Sequence, residues 1–152
     1  IASILNVKTN LPLIYTMLMT MPGIPCIYYG SEWGMEGKKN ADDTALRPEV
    51  KELQRNELTD TIRKLIDIHH QQSALIDGSY AQVALTNTAC IYARENEKEV
   101  IWTCINLDEQ PAVLGVNYAG TMTDLLHENE DVLISSQVTI DARSARILKR
   151  EK

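Results

Sequence analysis

The first strongly patterned segment, residues 11–21, is apolar on nearly every side when drawn as a helix. A helix without a polar face is a buried one, and Asn10 followed by Pro12 is a typical helix start. Proline and glycine at 22–23 end the helix. The continuous apolar run at 24–29 is typical of a strand covered on both faces, as in a parallel sheet. Buried helix followed by buried strand predicts an α/β unit.

Residues 31–58 show little periodicity and predict a long loop of the functional kind, with a short helix near 50–54. An amphipathic helix is predicted over 58–72, because its apolar residues share one face at helical spacing. That face carries Leu58, Ile62, Leu65, Ile66 and His69. The position of His69 on this apolar face favours a hydrogen-bonded core histidine over a ligand or a base. Asp77 and Gly78 then predict a turn.

From residue 79 the period of the pattern changes to two, which indicates strands. Short strands at regular intervals, separated by polar turns, predict an antiparallel sandwich or barrel. The segment 99–106 is apolar on both faces and is expected to be central in its sheet. The predicted strands are 79–86, 89–95, 99–106, 111–116, 121–126, 132–140 and 143–149.

These patterns divide the chain into two unlike domains, 1–75 with helices and one parallel strand, and 76–152 with antiparallel strands. A single strand cannot form a sheet, since both of its edges need hydrogen-bonding partners. We therefore expect the strand at 24–29 to be covered by upstream strands of the same fold, by a partner chain or by an oligomer.

Charge, hydropathy and cysteine spacing argue against several kinds of partner and site. The net charge of −6 argues against a nucleic-acid partner, which requires basic residues to neutralise phosphates. The longest apolar run is too short for a membrane span of about 20 residues, so no membrane partner is predicted. Three widely spaced cysteines form neither a disulfide framework nor a zinc pattern. They favour a reducing compartment such as the cytoplasm.

Three segments resemble the α-amylase superfamily of glycoside hydrolases. Residues 23–32 read Gly-Ile-Pro-Cys-Ile-Tyr-Tyr-Gly-Ser-Glu, similar to the eighth-strand motif Gly-Ile-Pro-x-Ile-Tyr-Tyr-Gly-x-Glu of that superfamily. Residues 65–78 resemble its eighth helix and the exit from it, with two histidines where Arg-Lys is common. Residues 43–48, Asp-Thr-Ala-Leu-Arg-Pro, resemble the motif Asp-Pro-x-x-Arg of oligosaccharide-active members, with threonine in place of the first proline.

The resemblance implies the C-terminal fragment of a (β/α)8 TIM barrel, followed by an antiparallel β-sandwich called domain C. It implies a parent enzyme that acts on α-glucosidic bonds of starch-type oligosaccharides with retention of configuration, and it leaves a calcium ion open for that parent. Family members place their catalytic carboxylates near the ends of strands four, five and seven, which would precede Ile1. No catalytic residue is therefore assigned, and the isolated chain is expected to be inactive.

Four residues are candidates for substrate binding on this resemblance: Glu32, Trp33, Asp43 and Arg47. Glu32 is expected either to order the loop or to contact sugar. Trp33 is expected either to stack on a pyranose ring or to cap the barrel rim. Asp43 and Arg47 form either a sugar-binding pair or a plain surface ion pair. No residue is predicted to bind a metal.

Two other interpretations remain open from the sequence. In the first, the β-domain is a non-catalytic carbohydrate-binding or interaction module, which needs an exposed row of aromatic residues. The available residues are Tyr80, Tyr92, Trp102 and Tyr118, of which Trp102 is expected to be buried. In the second, the parent is a family member that has lost catalysis.

Overall fold

The structure is a computed structural model that describes residues 1–38 and 44–152. Its described parts contain three α-helices: α1 (Leu11–Thr20), α2 (Glu57–Gln71) and α3 (Ser73–Asp77). The first two confirm the predicted helices, whereas no helix forms near 50–54. The described residues contain no helix that combines the length and the apolar character of a membrane span.

Six strands form one antiparallel sheet in the order β1-β2-β3-β6-β4-β5. The predicted strands at 111–116 and 121–126 are a single long strand, β4. Its pairing with β5 is irregular between Gly115 and Ala119, where three residues of β4 lie opposite one residue of β5, and this break interrupts the period-two pattern. The strands are β1 (Ser79–Leu85), β2 (Ala89–Glu95), β3 (Glu99–Asn106), β4 (Ala112–Asp124), β5 (Glu130–Ile140) and β6 (Ser144–Glu151).

The β4–β5 hairpin folds over the rest of the sheet. It joins β6 through two residue pairs, Thr123 with Lys149 and Asp124 with Leu148. Apolar side chains of the hairpin then pack in one core with those of β2, β3 and β6, a layered arrangement like a sandwich. This core includes Ile91, Trp102, Cys104, Leu114, Met122, Ile134, Val138, Ile140 and Leu148.

The opposite face of the sheet is covered by the helices. Ile101 of β3 and Ile147 of β6 share a second core with Tyr15, Leu65 and Leu75 of the three helices. Every residue of β3 is consequently buried, which confirms the prediction that this strand is central.

The strand predicted at residues 24–29 is not formed. No described residue pairs with this segment, and its side chains alternate between partly buried Pro25 and Ile27 and exposed Ile24, Cys26 and Tyr28. Ile24 is 96% exposed. The composition of this segment suits a buried strand, but a strand is held by hydrogen bonds to neighbouring strands, and the described residues place none beside it.

Two buried charges join the helices to the sheet. Arg94 of β2 is 2% exposed, and its guanidinium donates to the carbonyl of Thr20 at 3.2 Å and to that of Gly78 at 3.0 Å. These carbonyls lie at the ends of α1 and α3, where cations are favourable. Burial lowers the pKa of Arg94 from its ordinary value, so the charge depends on these acceptors.

Glu99 of β3 makes the second link. Its side chain is 5% exposed, and Oε1 accepts hydrogen bonds from the Ala74 backbone N–H at 2.9 Å and from Ser73 Oγ at 3.1 Å. Lys149 Nζ lies 3.1 Å from Oε2. Burial alone would raise the pKa of Glu99, but these donors outweigh it, and the pKa is lowered. Glu99 therefore caps α3 as an anion. The local sequence pattern did not predict α3, because this helix depends on a contact with a distant strand.

We expect Glu99→Gln to lower the free energy of unfolding at neutral pH by about 1–3 kcal/mol, because a buried charged hydrogen bond is lost. Since the folded pKa of Glu99 is below the unfolded one, its stabilisation is present above the unfolded pKa and is lost as the pH falls through the folded pKa. The difference between wild type and variant should therefore shrink between about pH 5 and pH 3. Urea unfolding at several pH values measures this difference.

The matched control is Glu97→Gln, which removes the same charge from an exposed position on the adjoining turn. Its unfolding free energy should follow that of wild type across the pH range. A Glu99→Gln difference that stayed constant down to pH 3 would contradict the assignment of Glu99 as an anionic cap.

Candidate functional site

A compact turn follows the apolar segment at 24–29. Gly30 and Gly34 both adopt left-handed backbone conformations, with φ of 82° and 79°, on either side of a short 3₁₀ helix at Ser31–Trp33. The Met35 N–H closes the turn on the Gly30 carbonyl at 2.8 Å. A Cβ at Gly30 would lie 2.6 Å from Met35 Cε, the end of a flexible side chain that can move aside, so it is the left-handed conformation that favours glycine there.

Side chains from two helices hold three consecutive carbonyls of this turn. The Tyr15 hydroxyl of α1 donates to the Ser31 carbonyl at 2.9 Å. Thr59 Oγ1 donates to the Glu32 carbonyl at 3.0 Å, and Asn56 Nδ2 donates to the Trp33 carbonyl at 2.9 Å. The turn is thereby fixed to α1 and to the start of α2.

Asn56 and Thr59 also form the capping box of α2. Asn56 Oδ1 accepts from the Thr59 N–H at 3.2 Å, and the Asn56 N–H donates back to Thr59 Oγ1 at 3.3 Å. The same two side chains therefore start the helix and hold the turn. Sequence analysis missed both residues, although the spacing Asn-x-x-Thr before an amphipathic helix was a usable signal.

The surroundings of the Tyr15 hydroxyl keep it protonated, as a hydrogen-bond donor must be. Burial raises the pKa of its hydroxyl, the hydrogen bond to Ser31 offsets part of that rise, and the nearby Glu32 carboxylate adds to it. The hydroxyl is therefore protonated at neutral pH and remains a donor to the turn.

Different residues of the turn line two cavities. The first, about 410 Å³, contains Arg47 together with Ser31 of the turn and the Tyr28–Tyr29 pair, whose ring centroids are 4.6 Å apart. The Tyr29 hydroxyl donates to the Pro48 carbonyl at 3.2 Å and so connects this segment to the chain around Arg47. The second, about 550 Å³, contains Trp33 and Gly34 of the turn and the first residues of α1 and α2.

Residues 1–99 match the family described as alpha amylase, catalytic domain. The chain belongs to the α-amylase family. A cyclomaltodextrinase of Geobacillus thermopakistaniensis is 30% identical over 102 residues, which are 66% of this chain and 17% of that protein. A cyclomaltodextrinase of Thermoanaerobacter pseudethanolicus is 28% identical over 86% of this chain and 23% of its own length. The chain thus spans about a fifth of these relatives.

Solved structures agree with the family. An α-amylase from Geobacillus thermoleovorans, crystallised with acarbose, has a TM-score of 0.84 at 22% identity, with 95% of this chain and 34% of that chain covered. A debranching enzyme from Nostoc punctiforme has a TM-score of 0.68 at 26% identity, with 92% of this chain and 29% of that chain covered. The described fold is therefore shared with α-amylase family enzymes.

Within this α-amylase family chain, the three predicted site residues that the structure describes do not line one cavity. Arg47 lines the first cavity and Trp33 the second, while Glu32 lines neither. Asp43 lies outside the described residues, so the expected pairing of Asp43 with Arg47 stays a prediction. Ser31 and Trp33, two residues apart in the fixed turn, line different cavities.

The backbone of Glu32 takes part in ordering the turn. Its carbonyl accepts the Thr59 hydrogen bond, whereas its Oε2 is buried with no hydrogen-bond partner among the described residues. This backbone contact could not be predicted from the sequence, because it depends on where α2 places Thr59.

Charged groups are few around the first cavity. Glu36 is the one carboxylate among the described residues that line it, and it forms an ion pair with Lys8. The described parts of the chain contain no cluster of three His, Cys, Asp or Glu residues suited to a metal. His69 Nδ1 donates to the Met19 carbonyl at 2.7 Å. This confirms the predicted hydrogen bond, although His69 is half-buried and lies at the edge of the core.

The aromatic residues of the β-domain do not form an exposed row. Tyr92 is buried, and Trp102, 7% exposed, is buried as predicted. Tyr118 packs edge-to-face on Trp102 with centroids 5.5 Å apart. Tyr80 alone of these four is exposed, so this surface gives no support to a separate carbohydrate-binding role for the β-domain.

Substitutions of Asn56 can separate its two roles. Asn56→Asp keeps an oxygen that caps α2 but loses the donor to the Trp33 carbonyl, whereas Asn56→Ala loses both. We expect Asn56→Ala to lower the free energy of unfolding by about 1 kcal/mol and Asn56→Asp to lower it less. Both variants should increase the quenching of Trp33 fluorescence by acrylamide, because the turn is released.

The other tryptophan, Trp102, is buried and contributes little to the quenching. Arg55→Ala, which removes an exposed ion pair with Asp60 beside the cap, serves as the control and should leave quenching unchanged. Wild-type quenching in Asn56→Asp would show that the hydrogen bond to Trp33 does not order the turn.

Proposed function

We propose that this chain is the C-terminal part of a retaining α-amylase-type glycoside hydrolase that acts on α-glucosidic bonds of starch-type oligosaccharides. The family match over residues 1–99 carries the proposal, and relatives named cyclomaltodextrinase and maltogenic α-amylase support the substrate class. In this proposal the chain supplies one wall of the substrate site and a supporting β-domain.

The catalytic carboxylates are the second part of the proposal. Retaining glycosidases need a nucleophile and an acid/base carboxyl about 5 Å apart across the scissile bond. The first cavity has the single described carboxylate Glu36, which Lys8 already neutralises. We therefore propose that the catalytic carboxylates belong to barrel strands outside this chain and that the isolated chain does not hydrolyse glycosidic bonds.

Arg47 is the proposed sugar-binding group of the first cavity. Its guanidinium can donate several hydrogen bonds in a fixed plane, which suits adjacent hydroxyls of a glucosyl unit. Asp43, four residues earlier in the sequence, is proposed to orient the guanidinium. A calcium ion in the parent enzyme stays open in this proposal.

The segment at 24–29 is the proposed junction with the rest of the barrel. Its side chains Ile24, Cys26 and Tyr28 are exposed. Barrel strands on either side would cover these apolar groups and supply the backbone hydrogen bonds that the segment lacks here.

Expression of the complete natural gene product tests the proposal. We expect it to cleave or transfer maltohexaose with retention of the α-configuration, as followed by NMR of the newly formed anomer, while the present chain alone releases no reducing sugar. A complete product without activity on any α-glucan would overturn the enzyme assignment. Activity of the present chain alone would overturn the placement of the carboxylates.

In the active gene product, we expect Arg47→Ala to lower kcat/KM for maltohexaose by about 10- to 100-fold, the scale of a lost charged hydrogen bond. Arg47→Lys should restore little of this activity, because an ammonium cannot reproduce the planar fork. Arg55→Ala is the matched control, since Arg55 is exposed and lines neither cavity. Wild-type kinetics in Arg47→Ala would remove Arg47 from the site.

A further inference from the structure

Gly37 brings two parts of the backbone around the first cavity into direct contact. A Cβ at Gly37 would lie 2.4 Å from the Ala45 carbonyl oxygen and 3.5 Å from Leu46 Cα. Gly37 does not adopt a positive φ, so the space beside Ala45 and not the backbone conformation requires glycine there. A side chain at this position would have to displace a backbone carbonyl, which cannot rotate away as the end of a side chain can.

The first residues of the chain hold Gly37 in this place. The Gly37 N–H donates to Ser3 Oγ at 2.8 Å, and this hydrogen bond is partly buried. The neighbouring Glu36 forms an ion pair with Lys8, but the two side chains are 50% and 61% exposed, and ion pairs that solvent reaches contribute little. The hydrogen bond to Ser3 is therefore the more important of these two attachments.

Arg47 comes directly after the backbone that Gly37 contacts. Residues Thr44–Leu46 form a 3₁₀ turn, and the Arg47 N–H closes this turn on its first carbonyl at 3.1 Å. One residue later, the Tyr29 hydroxyl donates to the Pro48 carbonyl at 3.2 Å. The backbone of Arg47 is thus held on both sides, by the packing of Gly37 before it and by the hydrogen bond from Tyr29 after it.

These contacts belong to the lining of the first cavity, which includes Ser3, Gly37, Ala45 and Arg47. A shift of the 3₁₀ turn would consequently move Arg47 relative to the rest of that lining. Misplacement of a substrate-positioning group by about 1 Å can lower a reaction rate by about a hundredfold. The exact fit of Gly37 against Ala45 is therefore relevant to the activity of the site.

We propose that Gly37, held by Ser3, is a positioning residue for Arg47, because its lack of a side chain lets the 3₁₀ turn at 44–46 lie where Arg47 reaches the ligand. The inference rests on the proposed function for the role of Arg47 as a sugar-binding group. It adds that this role depends on the backbone contact between Gly37 and Ala45. Neither Gly37 nor Ser3 was a candidate from the sequence.

Residual dipolar couplings of the ¹⁵N-labelled chain test whether Gly37 fixes the backbone of Arg47. Gly37→Ala should change the coupling of the Arg47 N–H, because the new Cβ displaces the turn. Gly115→Ala is the matched control, since a Cβ there would meet no atom within 4 Å, and it should leave the coupling unchanged. Circular dichroism establishes that each variant is folded. Should Gly37→Ala not fold, Ser3→Ala replaces it, because it removes the acceptor of the Gly37 N–H.

Kinetics of the complete gene product test whether Gly37 acts through Arg47. Gly37→Ala should lower kcat/KM for maltohexaose by about tenfold. In an Arg47→Ala background the same change should add less than about twofold, because the group that it displaces is already absent. Ser3→Ala should cause a smaller loss, and Ser3→Thr, which keeps the hydroxyl, should restore most of the activity. Gly115→Ala should retain wild-type kinetics.

Two results would overturn the inference. The first is an unchanged Arg47 coupling in a folded Gly37→Ala, which would show that the turn does not depend on this glycine. The second is full additivity of the Gly37→Ala and Arg47→Ala losses, which would show that Gly37 acts independently of Arg47. A complete gene product without activity on any α-glucan would count against the proposed function, and the dipolar couplings would still decide whether Gly37 positions Arg47.

Discussion

Strand β3 has neither face open to solvent, and the rest of the described structure depends on this constraint. One face packs against the β4–β5 hairpin through Trp102 and Cys104, and the other packs against the helices through Ile101. Apolar burial of this kind is the main stabilising contribution in a domain of this size. Because one strand contributes to both cores, the helices and the β-sheet form a single packed unit along this chain.

The polar contacts between the helices and the β-sheet also depend on the packing of the helices against β3. Arg94 and Glu99 are buried beside β3, and each finds its partners at the ends of helices. A buried charge without such partners would be strongly unfavourable. The helices must therefore dock in one orientation, and that orientation places α1 and the start of α2 on either side of the turn at residues 30–35.

The sequence predicted the elements that are determined locally. The amphipathic pattern of α2 and the alternating pattern of the β-domain are both found in the structure, and the double-sided apolar pattern of β3 correctly indicated a central strand. Each pattern reports which side chains will be buried, whatever the partner is. The family resemblance, carried by residues 23–32, was confirmed by the match over residues 1–99.

Features that depend on tertiary contacts were not predictable in this way. The pattern at 24–29 specifies burial but cannot supply strand partners, and the short helix α3 depends on Glu99, which lies more than twenty residues away in the sequence. The candidate site shows the same limit. Trp33 and Arg47 were grouped as candidates by the family resemblance, whereas they line different cavities.

The hydrogen bonds to the three carbonyls of the turn determine which substitutions the site can accept without a change of backbone shape. Backbone groups accept these hydrogen bonds, so the shape of the turn is encoded in Tyr15, Asn56 and Thr59 and in the glycines that bracket it. The side chains at positions 31–33 contribute none of those three bonds. Substitutions there can alter the chemistry presented to a ligand while the loop keeps its geometry, which makes this turn a place where specificity can diverge independently of the scaffold.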